Sequence, residues 1–250
     1  MNYVEYGKEN KYDDDIFFQK YSQMSRSQQG LAGAGEWETL RKLLPDFKDK
    51  RVLDLGCGYG WHCIYAMEHG ASSVVGVDIS HKMLEVAKEK THFPQVEYKC
   101  CAIEDVEFPE DSFDVILSSL AFHYVADYEI LVKKIYRILK SGGKLVFTVE
   151  HPVFTAYGTQ DWYYNEKGEI LHFPVDNYYY EGKRTAVFLG EKVTKFHRTL
   201  TTYLNTLLSN GFIINHIVEP QPPEYMMDIP GMQDEMRRPM MLLVKARKPV

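Results

Sequence analysis

The sequence predicts an α/β domain built on a doubly wound, mostly parallel sheet of seven strands. Short apolar runs alternate with amphipathic stretches, which is the pattern of a sheet with helices on both faces. The chain has 250 residues, of which 45% are hydrophobic and 26% are charged, so it is long enough to bury a large core. No internal repeat interrupts the pattern. We therefore predict a single domain over residues 1–250.

Residues 1–50 are expected to form a helical cap before the sheet begins. Trp37, Leu40 and Leu43 recur at helical spacing, and Pro45 ends the run. Residues 51–150 form the predicted core, with helices over WHCIYAMEHG, from the N-cap Ser80 to Glu89, and over about 127–139. The strands predicted in this core are RVLDLG, SSVVGVD, VEYKC, FDVILSS and GKLVFTV.

The composition changes from His151 onward. Residues 151–195 are rich in aromatic side chains and show no clean helical or strand period. We interpret them as an inserted lid, because long irregular segments in compact domains are commonly functional, and a purely structural aromatic hairpin is the alternative. Residues 196–250 return to the core pattern, with a helix over about 199–209 and strands near GFIINHIV and MLLVKA.

Charge and cysteine spacing argue against several classes of function. Lys and Arg total 29 against 35 Asp and Glu, and the net charge of −6 disfavours avid binding to nucleic acids or anionic membranes. The four cysteines lack zinc-site spacing, so we expect no metal. Neither a long apolar run nor a basic leader before an apolar stretch is found. We expect a cytoplasmic protein, monomeric or homodimeric, with no membrane span.

A glycine-rich turn follows the first predicted strand, in the segment VLDLGCGYG. Gly56, Gly58 and Gly60 allow the backbone to approach a ligand closely, and the helix start behind them offers free amides. The second strand ends at Asp78, where a carboxylate can accept both hydroxyls of a ribose. Together these features predict a nucleoside-containing cofactor. Asp54 beside the turn disfavours a pyrophosphate, which leaves an NAD-dependent dehydrogenase as a distant alternative.

These segments resemble the class I S-adenosylmethionine-dependent methyltransferases, particularly the type 11 group. VLDLGCGYG resembles the first motif of that family, GVDIS the second, and FPEDSFDVILSSLAFHYV the third and fourth. The similarity covers residues 50–150 well and the C-terminal strands loosely. It implies a Rossmann-like methyltransferase fold, S-adenosylmethionine as cofactor and S-adenosylhomocysteine as product.

The resemblance also implies a set of cofactor contacts. The three glycines would pass under the methionine portion of the cofactor, with Asp54 near its ammonium and Asp78 on the ribose. At Ala102 the sequence departs from the family, which often has Asp there, so Glu104 is a candidate replacement for the contact to adenine. The other implied contacts are Ile79, Ala102 and Ile103 around adenine, Ser119 and Leu120 near the sulfonium, and Tyr21 and Arg26 at the methionine carboxylate.

Three side chains near strand ends are candidate proton acceptors for an oxygen or nitrogen nucleophile. His123 follows the fourth predicted strand, and Glu150 and His151 follow the fifth. For His123 the alternative is a buried histidine bonded to backbone. His151 precedes Pro152, so we expect its backbone to be extended and its side chain to be held rigidly.

The acceptor itself is expected to lie against the insertion. Tyr157, Trp162, Tyr178 and Tyr179 are candidates for an aromatic wall that excludes water. His197 and Arg198 are candidates for binding an acceptor carboxylate, although with Thr199 as cap the same stretch can simply begin a helix.

We therefore predict a methyltransferase that acts on a small molecule, with the nucleophilic atom left open. A nucleic-acid methyltransferase acting on tRNA or rRNA is one alternative, which a basic aromatic groove would support. A non-catalytic subunit that binds the cofactor for regulation is the other, which a sealed acceptor pocket would support.

Overall fold

The structure is a computed structural model that describes residues 8–250, so the first seven residues of the predicted cap 1–50 lie outside the described residues. Within residues 8–250 the strands are β1 (Arg51–Leu55), β2 (Ser73–Asp78), β3 (Val96–Cys100), β4 (Phe113–Ser119), β5 (Leu139–Glu150), β6 (Tyr163–Tyr164), β7 (Ile170–His172), β8 (Gly182–Phe188), β9 (Glu191–His197), β10 (Ile213–Val218) and β11 (Met241–Arg247). The α-helices are α1 (Asp15–Ser22), α2 (Ser25–Gln28), α3 (Trp37–Leu43), α4 (Trp61–Glu68), α5 (His81–Lys90), α6 (Tyr128–Ile138), α7 (Pro152–Ala156), α8 (Leu200–Ser209) and α9 (Met232–Glu235).

Seven of the strands form one central sheet in the order β10-β11-β5-β4-β1-β2-β3. The five strands from β3 to β5 are parallel, whereas β11 runs antiparallel to both β5 and β10. This arrangement confirms the predicted fold class. It also brings the carboxyl ends of β1, β2, β4 and β5 to one edge, where α/β sheets commonly bind ligands.

The two faces of the sheet are covered by different helices because successive strand side chains point to opposite faces. Leu53 belongs to the hydrophobic cluster that includes α6 and α8, and Val52 belongs to the cluster that includes α3 and α4.

Asp127 caps α6 by accepting the Ile130 amide at 2.9 Å. The predicted cap at Ser80 is also confirmed, since its hydroxyl accepts the Met83 amide at 3.2 Å.

The insertion is more regular than its sequence pattern indicates. Residues 151–195 contain the short helix α7, a small hairpin of β6 with β7, and most of a longer hairpin of β8 with β9. In the longer hairpin Ala186 and Val193 pack on Phe17 from the N-terminal segment. That partner is distant in sequence, so local periodicity carries little sign of the hairpin.

None of the helices in residues 8–250 combines the length and the apolar character needed to cross a bilayer. In the same range, no three His, Cys, Asp or Glu side chains are grouped so that they could hold a metal ion.

Candidate active site

A cavity of about 230 Å³ lies at the carboxyl edge of the parallel strands. Its walls come from the loops after β1, β2, β3, β4 and β5, from the N-terminal segment, and from the β8–β9 hairpin. The predicted residues that lie on its wall are Tyr21, Arg26, Gly56, Gly58, Asp78, Ile79, Ala102, Ile103, Ser119, Leu120, His123 and Glu150. The predicted residues that are not among those lining it are Asp54, Gly60, His151, Tyr157, Trp162, Tyr178, Tyr179, His197 and Arg198.

The glycine loop after β1 turns sharply at the cavity wall. The amides of Gly56 and Cys57 both donate to the Val77 carbonyl, at 2.8 and 2.9 Å. Gly56 has a φ of +78°, and a Cβ at this position would lie 2.4 Å from the Cβ of Ala121. Only glycine satisfies both conditions, so this residue lets the loop pass close to the β4 end of the cavity.

Asp78 ties the end of β2 to the glycine loop and faces the cavity. Its Oδ2 accepts the Gly58 amide at 2.8 Å, and its Oδ1 accepts the Ser80 amide at 2.9 Å. Each carboxylate oxygen can accept a further hydrogen bond, so the group can still bind two hydroxyls. Burial raises the pKa of this carboxyl, and the two amides act in the opposite direction.

The end of the cavity nearest Ile79 is suited to a flat, mostly apolar group. Ile79, Ala102 and Ile103 line it together with Met83. Glu104, the candidate replacement for the missing acidic side chain, is also on the wall. Burial raises the pKa of its carboxyl.

The floor of the cavity contains a strained residue. Leu120 directly follows β4 and has a φ of +54°, which is unusual for a residue with a branched side chain. Its amide donates to the carbonyl of Thr148 at 2.9 Å and to the hydroxyl of the same residue at 3.0 Å. These two bonds hold Leu120 at the point where the cavity continues from the glycine loop toward β5.

Asp54 and Gly60 lie behind the glycine loop. The Asp54 carboxyl is fully buried, accepts a bond from the Cys63 thiol at 3.5 Å, and has its Oδ1 without a partner among the described residues. Burial raises its pKa to about 7. A Cβ at Gly60 would lie 2.2 Å from the Tyr98 hydroxyl, so this glycine shapes the turn into α4. The structure supports no direct ligand contact for either residue.

The N-terminal segment covers the cavity, but Arg26 is already paired. Its guanidinium donates to both carboxylate oxygens of the buried Glu36 at 2.9 Å. The predicted contact of Arg26 with a methionine carboxylate would therefore compete with a partner that the sequence did not indicate. Tyr21 also lies on the wall, next to Tyr12.

Glu150 and His123 meet at the β5 end of the cavity. Lys195 donates to Glu150 Oε1 at 2.5 Å, and Gln160 donates to Oε2 at 2.6 Å while its own oxygen accepts from Lys195 at 2.9 Å. Burial opposes ionisation of Glu150, but the Lys195 ammonium and the hydrogen bonds from Lys195 and Gln160 favour the carboxylate, and the pKa of the carboxyl is lowered. Burial lowers the pKa of His123 to about 4, so this imidazole is neutral at pH 7.

His151, a predicted base, lies off the cavity wall and has a structural position. Its Nδ1 accepts the Val153 amide at 3.0 Å and so caps α7, and its Nε2 lies 2.8 Å from Glu219. The backbone before Pro152 is extended as expected, with a φ of −63° and a ψ of 144°. That conformation turns the imidazole toward the helix it caps, and the ring is absent from the cavity wall.

The predicted acceptor residues of the insertion are also placed elsewhere. His197 bonds Thr155 and the Tyr178 carbonyl at 2.7 and 2.9 Å. Arg198 donates to backbone carbonyls, among them that of Ala126 at 3.0 Å. Trp162 packs on Phe173 and lies beneath the guanidinium of Arg238. The Tyr178 hydroxyl accepts the Leu200 amide at the start of α8, and Tyr179 is 86% exposed. Tyr157 is also exposed, whereas the polar atoms of His197, Arg198 and Tyr178 take backbone and side-chain partners, as buried polar groups do.

Sequence reasoning missed several wall residues. The adjacency of Ala121 and Tyr124 to His123 was a signal that could have found both. Tyr12, Phe188 and Lys195 carry no motif, because chain segments that are distant in sequence bring them to the cavity.

Comparisons with known proteins agree with this geometry. The family described as a methyltransferase domain matches residues 53–147. A candidate S-adenosylmethionine-dependent methyltransferase from Listeria monocytogenes is 58% identical in its crystal structure, with a TM-score of 0.85 over 88% of this chain and 100% of that chain. An S-adenosylmethionine-dependent methyltransferase from Mesorhizobium loti is 41% identical, with a TM-score of 0.81 over 88% of this chain and 100% of that one.

A shorter similarity links the chain to a named reaction. A ubiquinone biosynthesis O-methyltransferase from Coxiella burnetii is 36% identical over 112 residues, which are 44% of this chain and 47% of that protein.

The residues on the wall fit S-adenosylmethionine. Asp78 keeps acceptor capacity for a ribose, and Ile79 and Ile103 offer apolar faces for a base. The predicted cofactor is therefore the one this chain uses. The fold, the fit of the cavity and the two solved structures lead to the same result, and the chain belongs to the S-adenosylmethionine-dependent methyltransferases.

Proposed function

We propose that this enzyme methylates a small molecule that is enclosed between the strand ends and two covering segments. The observation that carries the proposal is the composition of the wall beyond Leu120. Tyr12 of the N-terminal segment, Phe188 and Lys195 of the β8–β9 hairpin, and Glu150 of the sheet line the same cavity as Leu120, and we call the part beside these four residues the chamber. A chamber of this kind suits a small acceptor better than a base within folded RNA.

The two covering segments are tied together, which supports a closed chamber. Phe17 packs on Ala186 and Val193 of the hairpin, and its ring lies 5.7 Å from that of Phe188. Lys20 donates to the Leu189 carbonyl at 3.0 Å. Water exclusion by such a cover favours methyl transfer, since the charge on the donor is dispersed as the methyl group moves.

The cofactor supplies an electrophilic methyl group when it is bound. The residues of the chain then have to orient the acceptor, exclude water and provide a route for any proton that the acceptor loses. Glu150 and His123 line the chamber, and at pH 7 Glu150 is ionised and can accept a hydrogen bond from the substrate. His123 is neutral and its Nδ1 already accepts the Glu150 amide at 3.4 Å, so its Nε2 can donate one. We propose that they position the acceptor, in place of the predicted base His151.

The basic pairs that a nucleic-acid enzyme would use are engaged elsewhere. Lys133 pairs with Glu129 at 2.7 Å, and Lys134 pairs with Glu107 at 2.9 Å. Arg237 and Arg238 similarly pair with carboxylates three residues earlier. Cations neutralised in this way contribute little to phosphate binding, which supports the small-molecule proposal.

Transfer of a labelled methyl group tests the proposal. The protein would be incubated with S-adenosylmethionine carrying a labelled methyl, either with an ultrafiltered metabolite extract or with total RNA. We expect label in the small-molecule fraction and none in acid-precipitated RNA. Label in RNA would contradict the proposal, and cofactor binding without transfer to either pool would favour the regulatory subunit.

A further inference from the structure

We propose that the acceptor is an amine that enters the chamber as an ammonium ion and is recognised by Glu9, Tyr12 and Tyr124. This inference deepens the proposed function and rests on it. It assigns a substrate class to the chamber from the charges and ring faces of its wall.

The positive charges on the cavity wall are already neutralised. Among residues 8–250, three Lys and Arg side chains line the cavity, and each has a carboxylate partner: Lys8 pairs with Asp105, Arg26 with Glu36, and Lys195 with Glu150. Lys195 is only 3% exposed, so a second anion would have to compete with Glu150 in a poorly solvated place. An acceptor bearing a carboxylate or phosphate therefore finds no unpaired cation among the described residues of the wall.

The negative charges on the wall exceed the positive ones. After the three ion pairs are set aside, the carboxylates of Asp78, Glu104 and Glu9 remain. Asp78 and Glu104 lie at the end proposed for adenosine, whereas Glu9 lies beside the hairpin, where its Oε2 accepts the Thr194 amide at 2.5 Å. No ion pair of Glu9 is found within residues 8–250. A bound ammonium would give this carboxylate a counter-ion, because an unpaired charge in a covered site is costly.

Glu9, Glu150 and Tyr124 line the same cavity. Burial raises the pKa of Tyr124, and the charges of Glu150 and Glu9 add to that effect. Both carboxylates therefore act on the space around the Tyr124 ring. A cation placed there is attracted by both, while Lys195 already offsets part of the charge of Glu150.

The rings at this end of the chamber meet at right angles. Tyr12 lies 5.2 Å from Tyr21 with an interplanar angle of 86°, and 6.4 Å from Tyr124 with an angle of 89°. The Tyr12–Tyr21 pair is packed edge to face, whereas the Tyr12 and Tyr124 rings are farther apart and both line the cavity. Aromatic surface on the wall attracts an ammonium group through cation–π contacts. Burial raises the pKa of Tyr12, so its hydroxyl stays protonated and the ring remains neutral.

Methylation of such an acceptor balances without any further reagent. The ammonium first loses a proton to solvent, and Glu9 is partly exposed and can pass it outward. The nitrogen lone pair then forms the new N–CH3 bond while the S–CH3 bond breaks, and that bonding pair stays on sulfur. The product is a methylated ammonium beside a neutral thioether: two positive charges become one when the entering ammonium loses its proton, and the charge of the sulfonium then passes to nitrogen.

A binding experiment tests whether the charge of a ligand, rather than its shape, determines its affinity for the chamber. The protein saturated with S-adenosylhomocysteine would be titrated in a calorimeter with benzylamine, benzyl alcohol and benzoate, which differ mainly in charge. We expect benzylamine to bind at least about tenfold more tightly than the other two, the scale of one cation–π or carboxylate contact. Equal affinities, tighter binding of benzoate, or no binding of the amine would overturn the inference.

Variants test the named residues. Glu9→Gln should weaken benzylamine binding by about tenfold and leave S-adenosylhomocysteine affinity unchanged, whereas Glu166→Gln, which removes an exposed carboxylate of the insertion, should change neither. Tyr12→Leu should weaken benzylamine binding similarly, and its melting temperature would show whether it folds. Retention of the wild-type amine preference in both Glu9→Gln and Tyr12→Leu would overturn the assignment.

The labelled metabolite extract then tests the amine inference separately from the proposed small-molecule function. Labelled products would be separated by cation and anion exchange at neutral pH. Label retained by the cation exchanger supports an amine acceptor. Label in neutral or anionic products overturns the amine inference but keeps a small-molecule function, and the absence of any labelled small molecule overturns both.

Discussion

Replacing Asp78 by Asn should weaken cofactor binding sharply while keeping the shape of the side chain. Both carboxylate oxygens already accept a backbone amide, from Gly58 at 2.8 Å and from Ser80 at 2.9 Å. The amide nitrogen of Asn must therefore face one of these donors, and the charge that would strengthen bonds to a ribose is lost. Hydrogen bonds to a charged group contribute about 1.5–3 kcal/mol each, so we expect S-adenosylhomocysteine affinity to fall by roughly 10- to 150-fold.

Calorimetric titration of wild type and variant with S-adenosylhomocysteine measures this loss. Asp127→Asn is the matched control, because Asp127 also accepts a backbone amide at a helix start but lies outside the cavity wall. It should leave the affinity unchanged. A folded Asp78→Asn protein that binds the ligand as tightly as wild type would show that this carboxylate does not bind the ribose.

Three further substitutions test residues that lie next to the cavity wall. Gly60→Ala should lower the free energy of unfolding, measured in urea, by more than Gly168→Ala does. Both glycines have a positive φ, but only a Cβ at Gly60 would meet another atom, the Tyr98 hydroxyl at 2.2 Å. Equal losses in the two variants would contradict this packing. Asp54 has a pKa of about 7 against an ordinary 3.8, so the folded state binds its proton more tightly than the unfolded state. The associated stability, roughly 4 kcal/mol at most, is present below pH 4 and is lost as pH rises toward 7, and Asp54→Asn should flatten this dependence in urea titrations at pH 5 and 8. His151→Ala should lower the free energy of unfolding by about 1 kcal/mol, because the cap of α7 is lost, and should leave S-adenosylhomocysteine affinity unchanged. A reduced affinity would indicate that His151 contributes to the cavity.

The wall residues at the strand ends could be predicted because their positions depend on local sequence. The glycine loop, Asp78 and Ile79 lie within a few residues of strand ends, and parallel strands place their carboxyl ends at one edge. Residues that follow the ends of these strands in sequence are therefore also close together in space. The positive φ of Leu120 had no counterpart in the sequence pattern, since it results from its bonds to Thr148 across the β4–β5 pair.

The acceptor half could not be predicted because distant segments build it. His151 and Glu150 are neighbours in sequence, yet only Glu150 faces the chamber, since Pro152 begins a helix that the imidazole of His151 caps. Lys195 has no motif, and its ion pair with Glu150 depends on how the hairpin folds back over the sheet. Aromatic composition draws attention to the insertion, but composition does not indicate which rings face inward.

The most direct test of the account is a crystal structure of the protein with S-adenosylhomocysteine. We predict ligand density in the cavity, with the ribose hydroxyls on Asp78, the adenine between Ile79 and Ile103, and the sulfur above Leu120 facing the chamber of Tyr12 and Glu150. Density at another place, or a sulfur that faces away from this chamber, would contradict it.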